Sequence, residues 1–273
     1  MNNKVAIITG GSEGIGFAIA SALASKGAHV YLVARTLEKL ENAQKSLLQQ
    51  GGKVDIKQAD ITNIDAIKEL VESIYNTHNR LDFFINNAGT WQSHSLDSAF
   101  DAIWKLIEFD MKAPYQIVHY LASRFRSEKN NNLKILTVVS QAALKVMSGS
   151  LGYGVAKMGL ASGLFHIEKE LQKEAVQNIQ LYRLYPNTVA TEKMMDAVRA
   201  NHVKDAVSTK TIADTAIDIL LDNTPTRDVR VGYYEKKGIV RTYYSSASKD
   251  FFHPTEVTQE VVDPDFTIQD LLK

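Results

Sequence analysis

The sequence predicts an α/β fold, a doubly wound parallel sheet with helices on both faces. Three observations carry that expectation. Short runs rich in Val and Ile recur along the chain, longer segments of helical period separate them, and a glycine-rich turn joins the first run to the first helical segment. In order, strand-like runs fall at 5–9, 30–33, 53–58, 82–85, 133–139, 179–184 and 229–233. Helical patterns alternate with them at 15–26, 37–50, 64–77, 98–126, 153–175 and 212–221. Such alternation is repeated βα, which joins parallel neighbours through crossover helices. From 245 to 273 the rhythm stops. Pro254, Pro264 and scattered acids make this stretch an extended tail ending in a short amphipathic piece, DFTIQDLL. No repeat, low-complexity tract or linker divides the remainder, so 1–244 is expected to be one domain and 245–273 a tail that packs as an arm.

Composition narrows the function classes. Of 273 residues, 45% are hydrophobic, enough for a large core in a single α/β domain. Lys+Arg and Asp+Glu both number 31, and no long basic run is present. An electrostatic footprint for nucleic acid or an anionic membrane is therefore absent, and small-molecule partners are expected. Cysteine is missing altogether, which removes disulfides, thiolate metal sites and cysteine nucleophiles together. The seven histidines carry no ligand spacing, so no metal site is expected. No stretch of about 20 apolar residues is present, and the first apolar run is too short for a signal segment. The expectation is a soluble, cytoplasmic protein without a membrane span.

Two local patterns point to chemistry. TGGSEGIG, residues 9–16, lies between the first strand and the first helix, where bare backbone amides and a helix N-terminus can hold a pyrophosphate. Its glycines, Gly10, Gly14 and Gly16, are not spaced as GxGxxG, and Phe17 stands where a P-loop needs lysine. The same residues also spell GxSxG around Ser12, the signature of a hydrolase nucleophile elbow. Only about nine residues precede the turn, too few for the earlier strands that supply an oxyanion hole. The second pattern is Tyr153 and Lys157, four apart in a helical stretch, so that phenol and ammonium share one face. The positive charge favours ionisation of a phenol whose ordinary pKa is near 10, which makes tyrosine usable as an acid or base.

Joined to Asn86-Asn87-Ala88-Gly89, these patterns give the chain its resemblance to the short-chain dehydrogenase/reductase family in its classical form, with TGxxxGxG, NNAG and YxxxK in order over residues 4–235. Ser140 closes the run ILTVVS thirteen residues before Tyr153, where the family's substrate-orienting serine falls. The resemblance implies a Rossmann-type domain, a nicotinamide cofactor and interconversion of a ketone and a secondary alcohol. It makes Tyr153 the general acid/base, gives Lys157 the tasks of tuning Tyr153 and holding the nicotinamide ribose, and sets Ser140 on the substrate oxygen. Cofactor contacts are implied for Gly10, Ser12, Gly14, Ile15, Gly16, Arg35, Asp60, Ile61, Asn87, Ala88, Gly89, Tyr153, Lys157, Pro186, Val189 and Thr191. Beside Asp60, Thr62 is a candidate helix N-cap. Two positions depart from the family pattern: Asn187 follows Pro186 where glycine is usual, and Asp110 stands where the family has asparagine. These departures keep open a non-catalytic sensor or scaffold that binds the dinucleotide without turning it over; a serine hydrolase through Ser12 is the remote alternative.

Arg35 ends the second strand with no acid beside it, which favours NADP(H), while NAD(H) stays possible because Glu13 sits where many NADP-preferring relatives are basic. The stretches 90–97, 141–152 and 190–207 are the expected substrate walls, with Trp91, Met147, Met194 and Met195 giving them an apolar, adaptable character. The family also implies a homotetramer or homodimer built on the long helices at 98–126 and 153–175.

Overall fold

A computed structural model describes residues 1–200, 202–203, 205–234, 237–245 and 257–264. The first half follows the expected alternation: β1 (Val5–Thr9), α1 (Gly14–Ser25), β2 (His29–Ala34), α2 (Leu37–Gln49), β3 (Lys53–Gln58), α3 (Ile64–His78) and β4 (Phe83–Asn86). The long helix expected at 98–126 is instead three pieces: α4 (Phe100–Ile107), a π turn (Glu108–Lys112) and α5 (Ala113–Phe125). Then come β5 (Leu133–Val138), α6 (Leu151–Lys173), β6 (Ile179–Pro186), β7 (Val189–Ala190), α7 (Glu192–Arg199), β8 (Val207–Ser208), α8 (Thr209–Leu220), β9 (Asp228–Tyr234), β10 (Gly238–Tyr244) and β11 (Val257–Asp263).

The main sheet runs β11-β10-β9-β6-β5-β4-β1-β2-β3, parallel from β9 to β3 and antiparallel at β10 and β11. Strand alternation divides its core in two. Ala6 and Ile8 face a layer with Ile19 and Leu23 of α1, Leu40 and Leu47 of α2, and Ile212 and Leu220 of α8. Val5 and Ile7 face the opposite layer, with Leu70 and Ile74 of α3, Ile117 and Leu121 of α5, and Leu160 and Leu164 of α6. Each Val, Leu or Ile among them contributes roughly 1.5–3 kcal/mol when fully buried, so a two-sided core is where this chain gains its cohesion.

From β1 the strand order proceeds outward in both directions, to β2 and β3 on one side and to β4, β5 and β6 on the other. That reversal opens a crevice beyond the carboxyl ends of β1 and β4, the usual place for a ligand in such a sheet. Antiparallel β10 lay outside the sequence expectation because it follows β9 as a hairpin partner, without the intervening helix that marks a parallel strand. Part of the expected tail is β11, whose seven residues are all exposed. With no buried face, VTQEVVD carries no alternation that would announce a strand. The DFTIQDLL segment lies outside the described residues. A further correction concerns α3: its N-cap is Asn63, whose side chain accepts from the Ala66 N–H, while the Thr62 hydroxyl donates to Asp60.

Candidate active site

The glycine turn and the NNAG segment are fastened to each other at the carboxyl ends of β1 and β4. Thr9 Oγ1 accepts from the backbone N–H groups of Asn87 and Ala88 at 3.0 and 3.1 Å. The Asn87 amide returns two bonds, to the carbonyls of Thr9 (3.0 Å) and Gly10 (3.2 Å). Gly10 and Gly14 have φ of +65° and +58°, a left-handed backbone that side chains resist, and a Cβ on Gly10 would press into Ala88. Glu13, the N-cap of α1, makes no side-chain cap bond, which leaves first-turn N–H groups of α1 for an anion. A small, unobstructed cradle results, and its chemistry fits a dinucleotide pyrophosphate. Ser12 has no left-handed backbone and no hydrogen bond to a histidine among the described residues, so the elbow geometry of a hydrolase is not formed around it.

Across the crevice, α6 supplies Tyr153 and Lys157 one helical turn apart, as the spacing predicts. Lys157 is buried, with its ammonium 5.5 Å from the centroid of the half-buried Tyr153 ring. Its ion-pair partner is Asp110, at 2.9 Å and fully buried in the π turn. The Asp110 carboxylate also accepts from the Thr90 backbone N–H at 3.1 Å. Burial by itself would push the Lys157 ammonium down; the charge of Asp110 and then Tyr153 outweigh it and hold lysine above its usual range. Glycines permit this approach: a side chain on Gly89 would strike Asp110 and Lys157, and one on Gly159 would strike Met111 of the π turn. The π turn is a local excess of helix, and such bulges concentrate at functional sites.

Ser140 is half-buried at the end of β5, and its Oγ accepts from the Ala142 N–H at 3.1 Å. Its hydroxyl proton is thereby left for another acceptor. Two expected substrate walls meet where the His94 N–H donates to the Gly149 carbonyl at 2.8 Å and residues 94 and 150 form a bridge. Trp91 and Leu96 on the first wall are exposed, whereas Met147, Met194 and Met195 are half-buried. Of the third wall, 201 and 204 lie outside the described residues. Thr191 begins α7 against Gly14, and Val189 is buried beside it. Pro186 ends β6. Asn187 has no left-handed backbone; its N–H donates to the Val231 carbonyl at 2.7 Å and its side chain fills the space above Gly232, so the departure from glycine is accommodated by packing.

On the far side of the glycine turn, Arg35 is exposed, its guanidinium 3.9 Å from Asp60 and 5.0 Å over the Phe109 ring. The Asp60 carboxylate is already engaged by the N–H and hydroxyl of Thr62, and Ile61 beside it is buried. A cleft of about 560 Å³ starts at Arg35 and Thr62 and follows α4 past Thr90 and Phe109. The sequence did not reveal that Glu13 is bridged at 2.5 Å by both Lys39 of α2 and Lys193 of α7. These lysines, in hydrogen-bond contact, hold the Glu13 carboxyl below its usual range. No periodic signal links positions 13, 39 and 193. Among the described residues there is no cluster suited to a metal ion and no helix long and apolar enough to cross a membrane.

The chain is 32% identical over 188 residues to a fatty acyl-CoA reductase of Acinetobacter baylyi, covering 67% of this chain and 62% of the reductase's length. It is 31% identical over 193 residues to an uncharacterised oxidoreductase of Listeria monocytogenes, covering 70% of this chain and 77% of the relative. A crystal structure of a metagenomic short-chain oxidoreductase in complex with NADP superimposes with a TM-score of 0.69 at 26% identity, over 84% of this chain and 98% of that one. The family model for short chain dehydrogenases matches residues 4–203. With a glycine turn, NNAG and Tyr-Lys pair converging on one switch-point crevice, the chain belongs to the short-chain dehydrogenase/reductase family of oxidoreductases.

Proposed function

We propose that this protein interconverts a ketone and a secondary alcohol with a nicotinamide cofactor, and that Tyr153 is the general acid/base. The observation that carries the reading is the buried Lys157 ammonium, held between Asp110 and Tyr153 beside the pyrophosphate cradle. A bound nicotinamide would supply or accept the hydride. In the reducing direction Tyr153 donates its hydroxyl proton to the substrate oxygen, and Lys157 stabilises the phenolate left behind. Ser140, whose oxygen already accepts from Ala142, is free to donate to the same substrate oxygen. Gly10, Ser12, Gly14, Ile15 and Gly16 would hold the pyrophosphate; Asp60 and Ile61 the adenine; Asn87, Ala88, Gly89, Pro186, Val189 and Thr191 the nicotinamide half.

NADP(H) is the favoured cofactor because Arg35 directly follows β2 with a guanidinium and no acid comes immediately after it. The NADP complex of the metagenomic relative supports that choice. A second copy of the chain is the proposed partner, against α4, where Phe100 and Trp104 stack at 6.2 Å and are both exposed, and α6, which exposes Val155. Light scattering tests it, and a monomer at micromolar concentration rejects it. The function is tested by following cofactor absorbance with a panel of ketones and alcohols and each nicotinamide cofactor. Turnover supports the enzyme; tight cofactor binding without turnover of any member supports the sensor; labelling of Ser12 by a fluorophosphonate supports the hydrolase.

A further inference from the structure

Glu13 is an acid beside the crevice, yet it does not act as a free negative charge. Its two oxygens are taken by Lys39 and Lys193, which come from α2 and α7. The juxtaposition follows from the sheet: β1 and β2 are parallel neighbours in register from Val5↔His29 to Thr9↔Val33, so their carboxyl ends release the glycine turn and the Arg35–Lys39 segment side by side. The Gly10 N–H closes this edge by donating to the Val33 carbonyl at 2.7 Å. The ribose of an adenine dinucleotide lies at the end of β2 in such a fold, where a carboxylate accepts the hydroxyls if the nucleotide lacks a 2′-phosphate.

Two carboxylates beside the glycine turn and the end of β3 are committed elsewhere. Glu13 is held by two ammonium groups, and Asp60 by Thr62 and Arg35. With Glu192 counted, whose charge also acts on Lys39, three cations face three acids, so Lys39 offers a phosphate a hydrogen-bond donor rather than an excess of charge. We propose that Lys39, gathered to the glycine turn by Glu13, joins Arg35 as the second cation that selects a 2′-phosphate. The inference rests on the cofactor reading above and deepens it: the acid in the glycine turn does not weaken NADP(H) selection, because it brings a lysine to the place where a donor is needed.

The test measures binding. NADPH, NADH and 2′,5′-ADP are titrated calorimetrically into wild type, Lys39→Ala, Lys39→Gln and Lys45→Ala, the last removing the same charge from an exposed position farther along α2. Melting temperature verifies that each variant is folded. The expected result is roughly tenfold weaker binding of NADPH and 2′,5′-ADP by both Lys39 variants, the loss typical of one charge-assisted hydrogen bond at an accessible site, with NADH unchanged. Equal weakening of NADPH and NADH, or no more weakening than in Lys45→Ala, overturns the role of Lys39 while leaving the oxidoreductase reading intact. A wild-type preference for NADH, with the exposed Glu38 accepting the hydroxyls, overturns it as well. Failure of wild type to bind either nucleotide defeats the cofactor reading itself.

Discussion

The two halves of α6 each bury a cation against carboxylates, and they do different things with it. At the amino-terminal half, Lys157 meets one acid, Asp110, and looks out over the half-buried ring of Tyr153. Eleven residues later, about 16 Å along the same helix, Glu168 receives the fully buried Arg183 of β6 at 2.7 Å. That guanidinium is also gripped by Asp228 of β9 through Nε and Nη2, lies 3.8 Å from the Phe165 ring centroid, and shares Asp228 with the Tyr185 hydroxyl. Arg227 reaches Glu168 from the other side. A rigid fork met by two carboxylates and a ring has one arrangement, and it ties β6, β9 and α6 together. A lysine met by one carboxylate keeps donors in reserve, and reserve capacity next to a phenol is what a proton-transfer site needs. Burial of charge alone does not mark a functional site, nor does an unspent donor, since Nη1 of Arg183 is itself buried without a partner among the described residues; what sets Lys157 apart is the half-buried phenol it faces.

Substitutions can break that contrast. Tyr153→Phe should lower kcat by roughly 10²- to 10⁴-fold, the usual loss of a general acid, while thermal unfolding stays near wild type. Near-normal turnover would remove Tyr153 from the chemistry. Asp228→Ala should do the opposite: it leaves the Arg183 charge buried with part of its compensation gone, and roughly 3–5 kcal/mol of stability should be lost in denaturant titration, with turnover per folded molecule little changed. A drop of under about 1 kcal/mol would show that the clamp is dispensable.

Asp110→Asn sharpens the comparison from the catalytic side. Asp110 raises the Lys157 ammonium, so its loss lets lysine give up its proton at lower pH, and it also leaves the ammonium uncompensated beside the phenol. Both changes move the pH–rate profile of alcohol oxidation toward acid, with activity retained. A superimposable profile would make the carboxylate electrically irrelevant.

The smallest effect is expected at the opposite rim of the sheet, where Asp82 is buried but its cations, Lys4 and Arg80, are part-exposed. Burial would raise its carboxyl, and the Arg80, Lys4 and Val5 N–H bonds more than offset that, leaving it below the usual value. Such a group stabilises the fold above its unfolded pKa near 4, and the contribution is lost as pH falls through the lower folded value. Unfolding free energy of wild type should therefore fall more steeply below pH 4 than that of Asp82→Asn. Parallel curves would assign the acid limb to other carboxylates.

What the sequence made legible was what is local. Tyr153 and Lys157 share a face by helical spacing, and strands such as β1 and β4 announce themselves because burial on both sides makes them continuous apolar runs. Asp110 stood out only as a departure from a pattern; its 2.9 Å approach to Lys157 depends on a π turn that hydropathy does not register, since the helical period on either side reads through it. The Glu13 bridge is formed by three elements distant in sequence, and exposed lysines give no warning of their partners. Antiparallel β10 and fully exposed β11 lacked, respectively, the preceding helix and the buried face by which a strand is recognised.

The π turn also bears on how this chain could diverge. Removing one residue between Glu108 and Lys112 would restore ordinary α-helix and rotate everything on one side by about 100° relative to the other. The apolar composition would hardly change. Yet Asp110 would swing away from Lys157, Thr90 would lose its acceptor, and Met111 would leave the notch above Gly159. A single deletion there would separate nucleotide binding from the Lys157 pairing, which makes this five-residue stretch a place where descendants of one gene can part company in activity while remaining alike in shape.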